Sequence, residues 1–202
     1  MLDGWARKKI DPALIGIAEF LARSPITPNM VTIISCVVGI AAAGAIAFQH
    51  YWLGLFLILA SRLGDGLDGA LARLTTKTDF GGYLDIVLDF VFYGAIPMGF
   101  VLADPAQNAV AGAALILSFY INGASFLAYA TMAEKRGLQT SARGTKALYF
   151  TTGLAEATET IAVFIAFCLF PSWFAFLAWI FAVICIYTAT ARILQAAAMF
   201  RD

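Results

Sequence analysis

The chain has 202 residues, of which 61% are hydrophobic and 13% charged, with a mean hydropathy of +0.84. Soluble domains carry roughly a quarter charged residues, so this composition argues against a soluble domain and points to a polytopic membrane protein. A formal net charge of zero offers no basic surface to nucleic acid, and the three cysteines lack metal spacing or a disulfide framework.

Residues 1–24 form an amphipathic juxtamembrane segment. Ile10, Leu14, Ile17 and Leu21 recur at helical spacing, with Arg7, Lys8, Lys9, Asp11 and Glu19 elsewhere. Such a helix is expected along the cytoplasmic interface, although a plain helix packed on a bundle reads the same in sequence. The same charges exclude a cleavable signal peptide here. Ser24-Pro25-Ile26-Thr27-Pro28-Asn29 then breaks the chain.

A spanning helix needs about 20 mostly apolar residues. Six segments qualify, near Met30–Phe48, Trp52–Leu74, Gly82–Leu102, Asn108–Met132, Lys146–Phe170 and Trp173–Met199. The expected fold is therefore all-α: a six-transmembrane-helix bundle in a single domain, 1–202, preceded by the interfacial helix. His50 lies in a short polar break, Gln49-His50-Tyr51, and reads as an interfacial loop residue. Cys36, Cys168 and Cys185 sit in apolar runs and read as packing residues.

The 13 Lys and Arg residues fall in or near the N-terminus, the second–third loop, the fourth–fifth loop or the C-terminus. The loops Gln49–Tyr51, Ala103–Gln107 and Pro171–Ser172 have none. The positive-inside rule then places both termini in the cytoplasm.

Chemistry is concentrated in the second and third spans. Asp65 and Asp68 are separated by three positions, Asp85 and Asp89 by four, so each pair shares a helix face. Acids in an apolar span are costly and suggest a functional site. Two such faces turned together would offer oxygen ligands to a hard divalent cation, Mg²⁺ or Mn²⁺, and a pair of ions would suit pyrophosphate chemistry. Gly69 and Ala72 keep the adjacent wall open, and Arg73 could hold a phosphate. Each element has a plainer reading taken alone. Gly-x-x-Ala can be a packing face, Arg73 can snorkel to the interface, and an acid pair can relay protons in a transporter.

The run Asp65-x-x-Asp68-Gly69-x-x-Ala72-Arg73, followed by Gly81-x-x-x-Asp85-x-x-x-Asp89, resembles the signature of the CDP-alcohol phosphotransferases, integral-membrane enzymes of phospholipid synthesis. The family pattern usually has eight residues between the arginine and the next glycine. Seven stand here if Gly81 is that glycine, which implies a loop shortened by one. Thr27-Pro28-Asn29-x-x-Thr32 and Arg143-Gly144-Thr145-Lys146 are weaker similarities to the same family.

The resemblance implies that Asp65, Asp68 and Asp85 ligate the divalent ions, and that Asp89 joins them and serves as general base. It implies that Gly69, Ala72 and Arg73 line the cytidine diphosphate site, with Asn29 and Thr32 facing the nucleotide. The implied donor is CDP-diacylglycerol or a related CDP-alcohol, the acceptor a small polar alcohol, and the product CMP. The expected setting is a bacterial inner membrane, with the site at the cytoplasmic face of a homodimer. Many family members carry Lys or Arg after the last acid, where this chain has Phe90. Candidate acceptor residues are Arg143, Lys146, Glu156 and Glu159. The two glutamates could bind an amine or sugar hydroxyls, or simply pair with Lys146 or Arg192. A small ion- or proton-coupled transporter is the alternative function. The acids lie in consecutive spans near one face, with no inverted repeat, which disfavours it.

Overall fold

The computed structural model describes residue 12, residues 14–137 and residues 155–200. Every regular element among them is helical. In chain order these are α1 (residues 14–21), α2 (Pro28–Ala47), α3 (Tyr51–Leu74), α4 (Asp79–Ala103), α5 (Pro105–Lys135), α6 (Ala157–Leu169) and α7 (Phe174–Met199). A single 3₁₀ turn, Pro171–Trp173, joins the last two.

Local sequence sets the boundaries. Thr27 caps α2 by accepting from the Met30 N–H at 3.3 Å, and Pro28 follows at the first helical position. Thr78 caps α4 by accepting from Gly81 N–H at 3.0 Å. Asp104 caps α5 through Gln107 N–H at 3.2 Å, again with proline next. Between α2 and α3, Gln49 adopts a positive φ of 63° and donates its side-chain amide to Ala103 O at 3.1 Å.

α2, α4, α5 and the stretch Pro171–Met199 are long and apolar enough to cross a membrane. Large apolar side chains such as Trp52, Phe56, Val110, Phe176 and Leu194 are exposed on the helix faces. So much exposed apolar surface is a liability in water but the normal condition of a lipid-facing wall. The chain is an integral membrane protein. α3 has 24 residues, enough length, but carries Arg62, Asp65, Asp68 and Arg73. The described part of the expected fifth span is the 13-residue α6, and residues 146–154 lie outside the described ones.

Lipid tails are as apolar as leucine, so helices here associate through close packing and interhelical hydrogen bonds. α2 is the central strut, lying against both α3 and α4. Its approach to α4 is set by Gly99, where an added Cβ would fall 2.6 Å from the Ala43 carbonyl oxygen. Its approach to α3 is set by Gly64, where a Cβ would collide with the side chain of Ser35. Ser61 of α3 donates to Ser35 O at 2.7 Å across the same seam. One interhelical bond is worth about 0.6 kcal/mol on average, so the small-residue contacts dominate this seam. On the other side α5 packs on α4 and α7. Buried Phe92, Phe100, Phe164, Phe167 and Phe174 fill the middle of the bundle. Phe100 and Phe174 stack with centroids 4.8 Å apart, and Phe167 meets Phe174 edge-on at 4.8 Å. Such pairs add roughly 0.5–1.5 kcal/mol each beyond burial.

α1 docks on the bundle. Leu14 and Ala18 are buried against Val31, Ala70 and Leu71, with Leu21 beside them. Of the apolar stripe read from the sequence, Leu14 and Leu21 meet the bundle while Ile17 is exposed, with Ile15 and Phe20. Ala18 takes its place because a small residue lets α1 come down onto the ends of α2 and α3. Ile10 lies outside the described residues.

Candidate active site

Two helix faces build the acid cluster. α3 presents Asp65 and Asp68 three positions apart, and α4 presents Asp85 and Asp89 four apart. The packing of both helices on α2 turns these faces toward each other. One carboxylate oxygen from each of Asp65, Asp68 and Asp85 lies within 4.8 Å of the other two. Asp68 is 6% exposed, and its Oδ2 has no hydrogen-bond partner among the described residues. A buried carboxylate oxygen left bare is expensive. Three converging oxygen donors with one orphaned lone-pair set fit a hard divalent cation, and among the described residues no nitrogen or sulfur ligand joins them to favour a softer one.

Asp89 is placed differently from the other three. Its Oδ1 accepts from Arg62 Nη1 at 2.6 Å, and it is not part of the three-carboxylate set. Arg62 also lies 3.5 Å from Asp65 Oδ1 and stacks over the Phe92 ring at 3.8 Å. Sequence reading missed this residue, counting it only among the charges that orient the chain. The signal was present: Arg62 is an ionisable residue inside an otherwise apolar stretch, one turn before Asp65.

The residues expected at the nucleotide lie on the neighbouring surface. Gly69 is open, and what a Cβ there would meet within 4 Å is Arg73 Nη1, at 3.7 Å. The arginine therefore reaches back over the glycine, with half-buried Ala72 beside it. Thr32 is buried, with its hydroxyl bonded to Pro28 O at 3.0 Å and lying against Asp68. Asn29 stands over the start of α4, and a Cβ on Gly81 would meet its Oδ1 at 3.0 Å. Gly82 has nothing within 4 Å of that position, so Gly81 is the crowded one of the two.

A cavity of about 510 Å³ opens from Asp89 between α4, α5, α6 and α7. Its polar lining includes Asn122, Glu156, Thr160, Thr188 and Arg192. Arg192 Nη1 donates to Asn122 O and Oδ1, both at 3.0 Å, and to Ser125 Oγ at 2.6 Å. Glu156 is close enough to Arg192 to attract it. Phe90 forms part of the wall, against Gly123. Glu159, in the first turn of α6, is not a lining residue. Arg143 and Lys146 lie outside the described residues.

Comparison with known proteins decides between the readings. The family model described as CDP-alcohol phosphatidyltransferase matches residues 25–194. The chain belongs to this family. It is 45% identical over 193 residues to an inner membrane protein, YnjF, of Escherichia coli K12, covering 96% of this chain and 94% of that one. It is 33% identical over 117 residues to archaetidylinositol phosphate synthase of Pyrococcus horikoshii, covering 57% of this chain and 62% of that one. Its fold matches the crystal structure of Mycobacterium tuberculosis phosphatidylinositol phosphate synthase with CDP-DAG bound. There the TM-score is 0.73 and the identity 22%, over 94% of this chain and 98% of that one. The same synthase with manganese and citrate matches with a TM-score of 0.74. This CDP-alcohol phosphatidyltransferase is thus a membrane-embedded transferase of phospholipid synthesis, and its three converging carboxylates fit the divalent metal use of the family. The transporter alternative is set aside.

Proposed function

We propose that the enzyme transfers the phosphatidyl group of CDP-diacylglycerol to the hydroxyl of a small polar alcohol and releases CMP. The acceptor oxygen forms a bond to the β-phosphorus, the bond from that phosphorus to the bridging oxygen breaks, and the acceptor proton passes to Asp89. The observation that carries this reading is the position of Asp89, between the Asp65–Asp68–Asp85 trio on one side and the polar cavity on the other.

Asp65, Asp68 and Asp85 would hold Mg²⁺ or Mn²⁺, with Asp89 joining the ligands when a second ion is present. The bound cation supplies charge neutralisation of the diphosphate and of the leaving CMP. Arg73 clamps a phosphate across the open face of Gly69 and Ala72, and Asn29 and Thr32 face the nucleotide from α2. The acceptor sits in the cavity. Among its described lining residues the charged ones are Asp89, Glu156 and Arg192, so acid and base are mixed there. That lining supports an uncharged polyol or an acceptor carrying charges of both signs. Arg143, Lys146 and Glu159 are proposed as acceptor-binding residues on the sequence resemblance. The reading further includes six spans in a bacterial inner membrane, supported by the length of α3, and a homodimer. Both termini and the site lie on the cytoplasmic face, as the one-sided distribution of Lys and Arg supports.

The test is an acceptor panel on purified protein with labelled CDP-diacylglycerol, comparing glycerol phosphate, serine, inositol phosphate, inositol and glycerol. A new lipid formed with one acceptor class, with one CMP per lipid, is the expected result. Absence of labelled lipid with every small alcohol, while CMP is released to water alone, would contradict the transfer.

A further inference from the structure

The acid cluster contains its own cation. Arg62 is 10% exposed in its side chain and is held from several directions. Nη1 donates to Asp89 Oδ1 at 2.6 Å and lies 3.5 Å from Asp65 Oδ1. Nη2 donates to Ser61 Oγ at 3.3 Å, and Ser61 is itself buried and tied to Ser35 O of α2. The guanidinium plane covers Phe92, 3.8 Å from its centroid. A flexible surface arginine would not be fixed by a carboxylate, a hydroxyl and an aromatic face together.

Charge explains what such a group does. With all four acids ionised, the cluster with Arg62 has a formal charge of minus three. One divalent ion leaves minus one. A second ion in the donor-free protein would leave an excess positive charge within low-dielectric surroundings, where like charges repel strongly. The two negative charges of a donor diphosphate return the total to minus one. Geometry agrees, because three carboxylates converge on one another while Asp89 pairs with Arg62.

We propose that Arg62 is a built-in counter-cation that positions Asp89 and restricts the donor-free enzyme to one tightly held divalent ion, a second being held only with the donor's diphosphate. This rests on the metal-site reading above. Arg62 is a positioning residue and acts through Asp89.

The experiment is a Mn²⁺ titration of the purified full-length protein in detergent, followed by the electron paramagnetic resonance of free Mn²⁺, with and without CDP. The expected result is one tight Mn²⁺ per chain without CDP and two with it. In Arg62→Gln a second Mn²⁺ should bind without CDP at least about tenfold more tightly than in the wild type, since a neighbouring positive charge is gone. Arg62→Lys should restore the wild-type pattern. Two equally tight ions in the wild type without CDP would overturn the proposal and leave the metal reading standing. No Mn²⁺ binding at all would overturn both. If Arg62→Gln does not fold, the wild-type stoichiometry decides alone. If Arg62→Lys binds Mn²⁺ as Arg62→Gln does, charge is not the cause and the proposal fails.

Discussion

Asp89→Asn is expected to lower kcat by about 10²–10⁴-fold, the usual contribution of a positioned general base. The donor should still bind through the first ion and Arg73, and any loss of donor affinity should track loss of the second ion, for which Asp89 is also a proposed ligand. Asp65, Asp68 and Asp85 converge without Asp89, and Arg73 lies beside Gly69. The three-carboxylate ion site and Arg73 are intact in the variant, while the second ion loses Asp89 as a ligand. Asn keeps the shape of the side chain and an oxygen to accept from Arg62, so the bundle should fold. Steady-state kinetics read beside Mn²⁺ and CDP binding give the answer. Near-normal turnover at neutral pH, with both affinities unchanged, would remove Asp89 from the role of base.

Asp68→Asn should fail one step earlier, at metal binding. Loss of an outer-shell partner already costs about 10–100-fold in metal affinity, and Asp68 is proposed to touch the ion directly. Its Oδ2 is buried and without a partner among the described residues, so no side chain stands ready to replace it. The amide that takes its place loses the negative charge and can present an N–H where a lone pair is needed. Mn²⁺ affinity should fall by at least that range, with activity falling in parallel and recovering in part at high Mn²⁺. Calorimetric titration with Mn²⁺ checks this. Unchanged affinity would mean that the three carboxylates do not share an ion.

Much of this site was legible because helical spacing and the motif agree. Once α3 and α4 are helices, Asp65 and Asp68 must share a face, as must Asp85 and Asp89, and both fall in apolar runs where an acid is costly. The bounds of α2 and α7 followed from the same apolar runs, and proline placed the start of α2. What was not legible depends on contacts between residues far apart in the chain. Arg62 looked like one more orienting charge until α4 brought Asp89 and Phe92 against it. The pairing of Asp89 with Arg62 comes from that packing, which no spacing encodes. The cavity joins Asp89 to Asn122, Glu156 and Arg192, from four helices, so no single stretch of sequence announces it. The apolar spacing of α1 showed an amphipathic helix but not which apolar residues meet the bundle: Leu14 and Ala18 pack there, while Ile17 is exposed. In a membrane protein both faces of a helix can be apolar, so periodicity separates core from lipid poorly.

The central claim is that the four-acid cluster is the catalytic centre of metal-dependent CDP-alcohol transfer. The most direct measurement is CMP release from CDP-diacylglycerol by the purified enzyme in detergent, with an accepted alcohol, before and after removal of divalent ions by excess EDTA. Release should stop in EDTA and return when Mg²⁺ or Mn²⁺ is restored in excess of the chelator. Undiminished CMP release in excess EDTA would contradict the claim.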